Sequence, residues 1–286
     1  MNENLKTKIE KTLSFINDKS YISALYFFHF KRVINWKNPQ RFSEKIQILK
    51  LKDRNSLYTK MVDKYEVKKY ISEKIGEQYL IPTIGIWDNF EDINFNDLPD
   101  KFVLKCTHDS GGLIICKNKK ELNLKEARNK IEKSLNRNFF YHGREWPYKN
   151  VIPKIIAEEY LENGQEGLHD YKIWCFNGKP KYIQYITGRI GNKTYEGFYD
   201  LQWNLKDFSY HNPIMEKPVK KPECLDKLIL LSEMLSNGTK FMRCDFYILD
   251  DGSIKFGEIT FFPMSGFETW KPDSTDLEFG KMINLE

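Results

Sequence analysis

Two carboxylates, Asp245 and Glu258, flank an Asp-Gly dipeptide in the segment 241–266, and their spacing predicts that a hairpin brings them together. Asp251-Gly252 suits a two-residue type I′ loop, which needs positive φ at both positions, and the flanking runs are rich in β-branched and aromatic residues. In that register Asp245 lies directly opposite Glu258, where like charges repel unless something bridges them. A hard cation such as Mg²⁺, which prefers carboxylate and phosphate oxygens, would make the pair a metal site. The alternative is a pair of solvated charges on an exposed sheet face.

The same register places Arg243 opposite Thr260 on the face that carries the two carboxylates. It also predicts Tyr247, Ile254 and Phe256 on this face, with further apolar side chains on the reverse. A ribbon that is apolar on both faces is buried, and buried carboxylates need partners. The pattern therefore favours a functional acidic pair, and it makes Arg243 a candidate for binding a substrate carboxylate or a transferring phosphoryl group.

A second hairpin is predicted at Asn177-Gly178, between the runs DYKIWCF and KPKYIQYI. The alternation of side chains along a strand puts Asp170, Lys172 and Trp174 on one face of its first strand. That face directs Lys172 toward the site of the acidic hairpin. Lys172 is therefore a candidate catalytic residue.

A small polar loop, residues 107–112, separates two apolar runs and ends in Ser110, Gly111 and Gly112. Such small residues let backbone N–H groups approach an anion, and Lys105 in the incoming strand can reach the same phosphates. An ordinary Ser-Gly-Gly hairpin turn has the same composition and is the alternative. The loop is not a Walker A motif, because no Gly-Lys-Ser/Thr follows and it leads into a strand.

Aromatic and charged residues stand together around Gly143 in the segment FFYHGREWPYKN. Arg144 and Glu145 are candidate substrate contacts there, in a loop that closes over the substrate on a glycine hinge. Trp146 and Tyr148 are candidates for stacking on a carbohydrate face. The alternative is a packed surface loop.

Size and composition describe an ordinary globular protein, with 286 residues of which 41% are hydrophobic and 15% aromatic. No run approaches a membrane span and the polar N-terminus is not a signal peptide, so a cytoplasmic location is expected. The five cysteines show no CxxC spacing, so neither a zinc site nor a disulfide framework is predicted. A formal net charge of +5 suits anionic substrates but lacks the clustered arginines of a nucleic-acid reader.

The first part of the chain is predicted to be helical, in the runs LKTKIEKTLSFI, ISALYFFHFKRV and SEKIQILKL, followed by a helix over about 59–75. Ser43 is the predicted N-cap of the third run. The apolar stretch YISALYFFHF is predicted to be a core helix. The alternative, a helix on a membrane surface, is less favoured because the stretch lacks a wide basic face.

Taken in order, these motifs resemble the ATP-grasp enzymes, and specifically the TupA-like branch associated with teichuronopeptide and other surface-polysaccharide synthesis. The resemblance covers about residues 39–266. It is carried by RFSEKIQILKLKDRN, VDKYEVKKY, LPDKFVLKCTHDSGG, GREWPYKN, AEEYL, DYKIWCFNGKPKYIQ and FGEITFFPMSGF.

The resemblance implies an α+β fold in which two α+β subdomains clamp a nucleotide, with N-terminal helices in place of a Rossmann-like domain. The corresponding division is a helical region 1–58, a linker-like α/β segment 59–100, a subdomain 101–160 with the phosphate loop, and a subdomain 161–286 with the metal-binding hairpin. The implied cofactors are ATP and Mg²⁺.

The resemblance also implies roles for individual residues. Lys64 and Lys105 would contact the ATP phosphates beneath a flexible loop 107–112 that includes Ser110, Gly111 and Gly112. The adenine edge would meet the backbone of Glu159, Tyr160 and Leu161, with Glu158 nearby. Asp245 and Glu258 would hold Mg²⁺, with Thr260 where many ATP-grasp enzymes have asparagine.

The implied activity is that of an ATP-dependent carboxylate–amine ligase acting through an acylphosphate. It would join an amino acid or amine to an acidic sugar in bacterial capsule or cell-wall polysaccharide biosynthesis, with a cytoplasmic or peripheral inner-membrane location and weak association with membrane-bound polysaccharide machinery. The alternatives are a sugar kinase on the same fold and a metal-dependent glycosyltransferase. The latter needs an Asp-x-Asp motif, which this sequence lacks. A non-catalytic nucleotide-binding module fits poorly with an intact acidic pair.

Overall fold

The computed structural model describes residues 13–164, 167–188 and 194–286. The predicted helix LKTKIEKTLSFI falls mostly outside them. The α-helices are α1 Asp18–Phe30, α2 Phe42–Lys52, α3 Leu57–Val62, α4 Val67–Lys74, α5 Leu124–Leu135, α6 Phe140–Gly143, α7 Leu225–Ser236 and α8 Ser274–Met282. Short 3-10 turns cover Leu13–Phe15, Glu77–Tyr79, Phe90–Asp92, Lys119–Glu121, Trp146–Tyr148 and Pro263–Gly266.

The strands form two sheets in which every described pairing is antiparallel. They are β1 Thr83–Trp87, β2 Phe102–Cys106, β3 Leu113–Cys116, β4 Ile155–Glu159, β5 Asp170–Phe176, β6 Lys179–Thr187, β7 Tyr195–Tyr199, β8 Phe241–Ile248 and β9 Ile254–Thr260. One sheet has the order β1-β4-β2-β3 and the other β7-β6-β5-β8-β9. Helices combined with antiparallel sheets make this an α+β protein, as predicted.

The chain divides into two compact units. Unit 1 contains Arg54–Tyr70 and Leu80–Leu161 together with the described end of the Met1–Asn17 segment, and it holds the four-stranded sheet. Unit 2 contains Asp18–Asp53, Ile71–Tyr79 and Glu162–Glu286, and it holds the five-stranded sheet. These boundaries differ from the predicted segments at residues 58 and 100, because the N-terminal helices pack with the second sheet.

The core of unit 1 lies between its sheet and α5. Phe102 and Leu104 of β2 and Ala157 of β4 are fully buried and belong to one apolar cluster with Ala127 and Ile131 of α5. Helix α5 begins after Asn123, whose side chain accepts the Glu126 N–H, so an N-cap fixes where this helix starts. The cluster anchors β2, and β2 carries Lys105 on its less buried face.

The five-stranded sheet of unit 2 has two different faces. Helix α7 packs on β5, β6 and β8, and the Cys175 thiol lies 3.9 Å from the Ser232 carbonyl of this helix. Because side chains alternate along a strand, Lys172 and Trp174 of β5 lie on the face away from α7. Asn177 and Gly178 both have positive φ, 48° and 74°, and form the predicted hairpin turn between β5 and β6.

Helix α2 packs on the face of the unit 2 sheet that carries Trp174, and its N-cap lies two residues earlier than predicted. Its N-cap is Arg41, and the Glu44 carboxylate accepts the N–H groups of Gln40 at 2.9 Å and Arg41 at 3.1 Å. The predicted N-cap, Ser43, lies inside the helix and donates its N–H and hydroxyl to Asp276 at 2.8 and 2.7 Å. That prediction was wrong because Ser43 binds a partner distant in sequence.

The helix predicted over about 59–75 is two helices, α3 and α4, separated at residues 63–66. The Asp63 carboxylate accepts the N–H groups of Tyr65 at 2.7 Å and Glu66 at 3.0 Å, which caps the start of α4. The break places Lys64 in the turn between the two helices.

Among the described residues, no helix is both long enough and apolar enough to cross a bilayer.

Candidate active site

The acidic pair forms where β8 and β9 pair in unit 2. Asp245 lies opposite Glu258, and Arg243 lies opposite Thr260, which confirms the predicted pairing. Asp245 is 2% exposed, whereas the side chain of Glu258 is 46% exposed. The pair therefore consists of one buried carboxylate beside one that solvent or a ligand can reach.

The hairpin reaches this register by a different route from the predicted one. Its loop spans 250–252, because the Leu249 N–H donates to Ser253 and the Gly252 N–H donates to Leu249, both at 2.9 Å. Gly252 adopts the left-handed φ of 80° that such a three-residue loop requires. One unpaired residue in β9, Gly257, then forms a β-bulge that shifts the pairing back by one.

The bulge also changes which residues share the acidic face. Phe256 pairs with Phe246, with ring centroids 6.0 Å apart, and Ile254 pairs with Ile248. Since neighbouring side chains alternate, both lie on the reverse of the ribbon. The prediction that Ile254 and Phe256 accompany the carboxylates was wrong, because the bulge restarts the alternation.

Arg243 bridges the acidic pair. Its Nε and Nη2 donate to the two oxygens of Asp245 at 2.7 and 2.8 Å, and Nη2 also lies 3.3 Å from Glu258 Oε1 and 3.1 Å from Thr260 Oγ1. Burial opposes charge on Arg243, but the neighbouring carboxylates outweigh it and raise its pKa. The repulsion between the two carboxylates is thus offset by a side chain of the same ribbon.

Lys172 is the second cation at this carboxylate, as its position on β5 predicted. It lies directly opposite Asp245, donates to Asp245 Oδ2, and lies 3.5 Å from Asp170 Oδ1. Burial alone would raise the pKa of Asp245, but Arg243 and Lys172 hold it below its usual value. Asp245 is therefore ionised at neutral pH in spite of its burial.

The donor set suits a hard cation. Mg²⁺ is usually held by one or two carboxylates together with substrate phosphates, and Asp245 and Glu258 supply two carboxylates from facing strands. Thr260 adds a hydroxyl, which is a weaker ligand. Within the described residues, no group of three or more His, Cys, Asp and Glu side chains could hold a metal ion. The two carboxylates would therefore need the substrate phosphates as further ligands.

In unit 1, Lys64 stands at the break between α3 and α4 and reaches the phosphate loop. Its backbone N–H donates to Thr107 at 3.0 Å, and its Nζ donates to the Asp109 carbonyl. Asp63, which caps α4, fixes the turn from which Lys64 extends. The structure thus brings Lys64 to the 107–112 loop.

Glu158 joins two lysines in the same unit. Lys105 Nζ and Lys68 Nζ each lie 2.6 Å from one of its carboxylate oxygens. Burial alone would raise the pKa of Glu158, but Lys105 and Lys68 outweigh it and lower that pKa. Lys68 was not predicted from the sequence, because its role depends on Glu158, a strand residue far along the chain.

The loop between β2 and β3 is more firmly held than the expected flexible segment. Asp109 is 3% exposed and accepts the Gly112 N–H at 3.1 Å and the Ser134 hydroxyl of α5. His108 Nε2 lies 3.0 Å from the Ser134 carbonyl, and burial lowers the pKa of this ring, which favours its neutral form. Only Ser110 and Gly111 are exposed within the loop.

In the segment predicted to meet the adenine edge, one backbone N–H already forms a hydrogen bond within unit 1. The Glu159 N–H donates to the Pro82 carbonyl at 3.1 Å, so it is not available to a nucleotide as the resemblance implied. The Glu159 side chain is exposed, while Tyr160 and Leu161 are half-buried.

The predicted substrate loop around Gly143 is folded into α6 and the Trp146–Tyr148 turn. Arg144 is 1% exposed, takes a left-handed φ of 56° as the C-cap of α6, and stacks its guanidinium over Phe140 at 5.3 Å. Glu145 is also buried, and Trp146 and Tyr148 are half-buried. These side chains pack inward as the alternative of a packed loop describes, and their contact with a substrate stays a prediction.

Comparison with known proteins identifies the family. The family model described as TupA-like ATPgrasp matches residues 44–284. The chain belongs to this family. Membership establishes the ATP-grasp fold for this TupA-like protein and confirms the resemblance inferred from its motifs.

Solved structures similar to this ATP-grasp chain include two ligases. D-alanine–D-alanine ligase from Bacillus anthracis, complexed with ATP, is 19% identical with a TM-score of 0.42, over 70% of this chain and 54% of that one. L-amino acid ligase from Bacillus licheniformis is 13% identical with a TM-score of 0.49, over 88% of this chain and 57% of that one. The chain thus spans about half the length of each structure. No curated protein matches it.

Proposed function

We propose that this TupA-like ATP-grasp protein is an ATP- and Mg²⁺-dependent carboxylate–amine ligase. The observation that carries the proposal is the cluster on the unit 2 sheet, where Asp245 and Glu258 face each other beside Lys172 and Arg243. Two carboxylates suited to Mg²⁺ and two cations suited to anions are the groups that phosphoryl transfer to a carboxylate requires.

The reaction proceeds in two displacements. A substrate carboxylate oxygen attacks the γ-phosphorus of ATP, the bond to ADP breaks, and an acylphosphate forms. An amine then attacks the acyl carbon, phosphate leaves, and the amine loses a proton as the amide forms. Mg²⁺, when bound by Asp245 and Glu258, supplies charge neutralisation at the phosphates.

The chain's own cations do the remaining work by positioning and charge compensation. In unit 1, Lys64 and Lys105 bind phosphate oxygens, with Ser110 and Gly111 exposed beside them. In unit 2, Arg243 and Lys172 orient the substrate carboxylate and compensate the charge of the transferring phosphoryl group. Arg243 binds Asp245 through Nε and Nη2, and its third guanidinium nitrogen, Nη1, takes no part in those two hydrogen bonds.

The substrates we propose are an acidic sugar or an amino acid as the carboxylate and an amino acid or other amine as the acceptor. The biological setting we propose is bacterial capsule or cell-wall polysaccharide synthesis, in the cytoplasm or at the inner membrane face beside membrane-bound machinery. The mild positive charge of +5 and the cations around Asp245 support an anionic substrate.

The test measures nucleotide binding with and without Mg²⁺, and then ADP release with a carboxylate and an amine present. Asp245→Asn and Glu258→Gln should each lower turnover by roughly 10²-fold or more, because charge stabilisation of the transferring phosphoryl group is lost. Asp251→Asn is the matched control, since Asp251 is exposed at the tip of the same hairpin.

Each outcome separates the candidate activities. Hydroxylamine trapping of an acyl hydroxamate supports the ligase, whereas a stable phosphorylated hydroxyl indicates a sugar kinase. Preference for a UDP- or GDP-sugar over ATP would indicate a glycosyltransferase. Unchanged turnover in both acidic variants would remove the metal assignment.

A further inference from the structure

Helix α1 of unit 2 has one buried side and one exposed side. Ile22 and Tyr26 are 0% and 1% exposed and belong to one apolar cluster, as expected of a core helix. On the other side Phe27 is 48% exposed and Phe28 is 68% exposed, with ring centroids 6.3 Å apart. Exposed apolar side chains that lie side by side, unlike scattered ones, mark an interaction surface.

The exposed side follows one line along the helix. Its members are spaced by four, three, one and three residues, which puts them on a single helical face, and all are exposed: Ser20, Ala24, Phe27, Phe28 and Lys31. We call these five residues the α1 outer face. It combines two aromatic rings and two small residues with a cation just after the last helical residue, and it contains no acidic side chain.

The cation of the α1 outer face lies beside one of its rings. Lys31 Nζ donates to the Phe28 carbonyl at 3.0 Å and lies 5.8 Å from the centre of the Phe28 ring. Lys37, in the segment that follows, is exposed. Within the described part of the chain neither lysine forms an ion pair, whereas the neighbouring Arg32 pairs with Asp273 at 2.6 Å. Both lysines can therefore meet an external anion.

Positive charge is concentrated in this part of the sequence. Residues 18–38 contain four basic residues and one acidic residue, a formal net charge of +3, while the whole chain carries +5. Most of the basic residues follow the helix instead of forming a wide face on it, which is why the sequence alone favoured a core helix. An apolar patch with a positive surround complements a surface that is anionic outside and apolar within, which describes a bilayer of anionic lipid.

The form of the patch favours a bilayer over a protein partner. Phe28 is 68% exposed and Val33, just beyond the helix, is 79% exposed, so most of the surface of each side chain is free. Protruding side chains of this kind enter a fluid hydrocarbon layer without a pocket shaped to receive them. An anchor residue in a protein interface needs such a pocket on the partner.

We propose that the α1 outer face, together with Val33 and Lys37, docks this protein on an anionic phospholipid surface. Phe27 and Phe28 insert at the boundary between headgroups and acyl chains, and Lys31 and Lys37 contact lipid phosphates. Helix α1 lies along the surface, with its other side packed on unit 2. The inference rests on the proposed function for the inner-membrane setting alone, and the lipid contact is independent of the ligase chemistry.

Co-sedimentation of the full chain with lipid vesicles measures the docking. Vesicles of phosphatidylglycerol and phosphatidylcholine in equal parts should bind the protein at least roughly tenfold more tightly than vesicles of phosphatidylcholine alone. The difference should shrink at high salt, because salt screens the attraction between the lysines and the headgroups. Equal binding to both kinds of vesicle, or binding to neither, would overturn the proposal.

Matched double variants test the apolar part of the surface. Phe27→Ala with Phe28→Ala should weaken vesicle binding at least roughly tenfold, because two inserted rings are lost. The control is Leu230→Ala with Met234→Ala, which removes side chains that are 49% and 42% exposed on α7 of the same unit. This control should bind vesicles as the unmodified protein does. Equal binding by the two double variants would mean that the docking surface lies elsewhere.

A second pair of double variants tests the charge. Lys31→Gln with Lys37→Gln should lower the preference for anionic vesicles at least roughly fivefold. Lys220→Gln with Lys221→Gln, which removes two exposed lysines elsewhere in unit 2, should leave that preference unchanged. If the preference survives in the first variant, lipid phosphates are not the partners of these lysines.

A protein occupant would give a different result. If the chain self-associates, and Phe27→Ala with Phe28→Ala makes it monomeric without changing vesicle binding, the face joins two copies and the lipid proposal is overturned.

The lipid surface and the ligase fail separately. ADP release with substrates free in solution should be the same in all four double variants. Vesicle binding without ADP release overturns the ligase and leaves the lipid surface standing, whereas ADP release without vesicle binding does the reverse.

Discussion

Glu158 and Asp245 are buried carboxylates of the two sheets, and each is held by two cations. Glu158 binds Lys68 and Lys105, while Asp245 binds Lys172 and Arg243. A buried charge needs such partners, because leaving it without any opposite charge costs about 3–5 kcal/mol. The Glu158 cluster, with two lysines to one carboxylate, keeps a net positive charge that can attract a further anion, whereas Asp170 and Glu258 also approach the cations of the Asp245 cluster.

The Glu158 cluster gives a prediction for Lys68. With Lys68 removed, Glu158 neutralises Lys105 alone, so the cluster loses the excess charge that would attract a phosphate. We expect Lys68→Met to weaken ATP binding roughly tenfold, the size of one lost charge-assisted hydrogen bond. Equilibrium titration with ATP and Mg²⁺ measures this effect.

Lys69→Met is the control for Lys68→Met, because Lys69 is the adjacent residue of α4 and is exposed. It should bind ATP as the unmodified protein does. Normal ATP binding by Lys68→Met together with a loss of thermal stability would instead mark the Glu158 cluster as a structural ion pair. Lys68 could not be singled out from sequence, since its role depends on a strand partner far along the chain.

At the scale of elements, the sequence of the acidic hairpin predicts the contact between Asp245 and Glu258 correctly but predicts the wrong length for the turn. The Asp-Gly dipeptide predicts a loop of two residues, and the structure has a loop over 250–252. The bulge at Gly257 offsets this difference, so Asp245 still meets Glu258. The face of β5 that carries Lys172 was predictable, but its pairing with Asp245 was not, because β5 and β8 are not joined by a hairpin that would fix their register.

Elements whose conformation depends on distant partners were predicted poorly. Ser43 resembles an N-cap, but its hydroxyl binds Asp276 in α8. The segment around Arg144 was compatible with a substrate loop or a packed loop, and its Arg144 side chain is buried over Phe140. The bonding of the buried Glu196 was not predicted either, because this carboxylate accepts donors from β6 and from residue 210. Tertiary contacts decided each of these cases.

The loop 107–112 offers a prediction in which its two glycines have different roles. A Cβ on Gly112 would lie 2.5 Å from the Cys106 sulfur and the Ser134 hydroxyl oxygen, whereas one on Gly111 would meet only Asp109, at 3.4 Å. We expect Gly112→Ala to lower the free energy of unfolding by about 1–3 kcal/mol through overpacking. Gly111→Ala should leave stability unchanged but weaken ATP binding, because a methyl group keeps a phosphate from the exposed backbone.

Chemical denaturation and ATP titration of both variants measure the two effects separately. If Gly111→Ala binds ATP normally, the loop is an ordinary hairpin turn and the phosphates are bound by the lysines alone. If Gly112→Ala is as stable as the unmodified protein, the contacts with Cys106 and Ser134 do not determine the packing of the loop.

At the scale of the whole molecule, the N-terminal helices are part of unit 2. Helix α2 inserts Phe42 among the rings of Trp174, Phe241, Trp270 and Phe279, at centroid distances between 5.2 and 6.1 Å. The same helix supplies Gln47 and Lys50, which donate to the Ser265 carbonyl in the turn that follows β9. The helices that replace a Rossmann-like domain thus support both the core of unit 2 and the turn after the acidic hairpin.

This integration predicts that Phe42 is essential to unit 2 as a whole. Phe42→Ala should cost about 3–5 kcal/mol, as expected for a buried phenylalanine, and should lower the hydrogen-exchange protection of β5 and β8. Phe28→Ala, in the neighbouring helix α1, is the control, because Phe28 is 68% exposed and its removal should change stability by less than about 0.5 kcal/mol. The β2 and β4 amides of unit 1 serve as an internal reference, since their core has its own residues.

Equal protection of β5 and β8 in the two variants would show that the N-terminal helices are an appended layer. Loss of protection with Phe42→Ala alone would show that they belong to the core of unit 2.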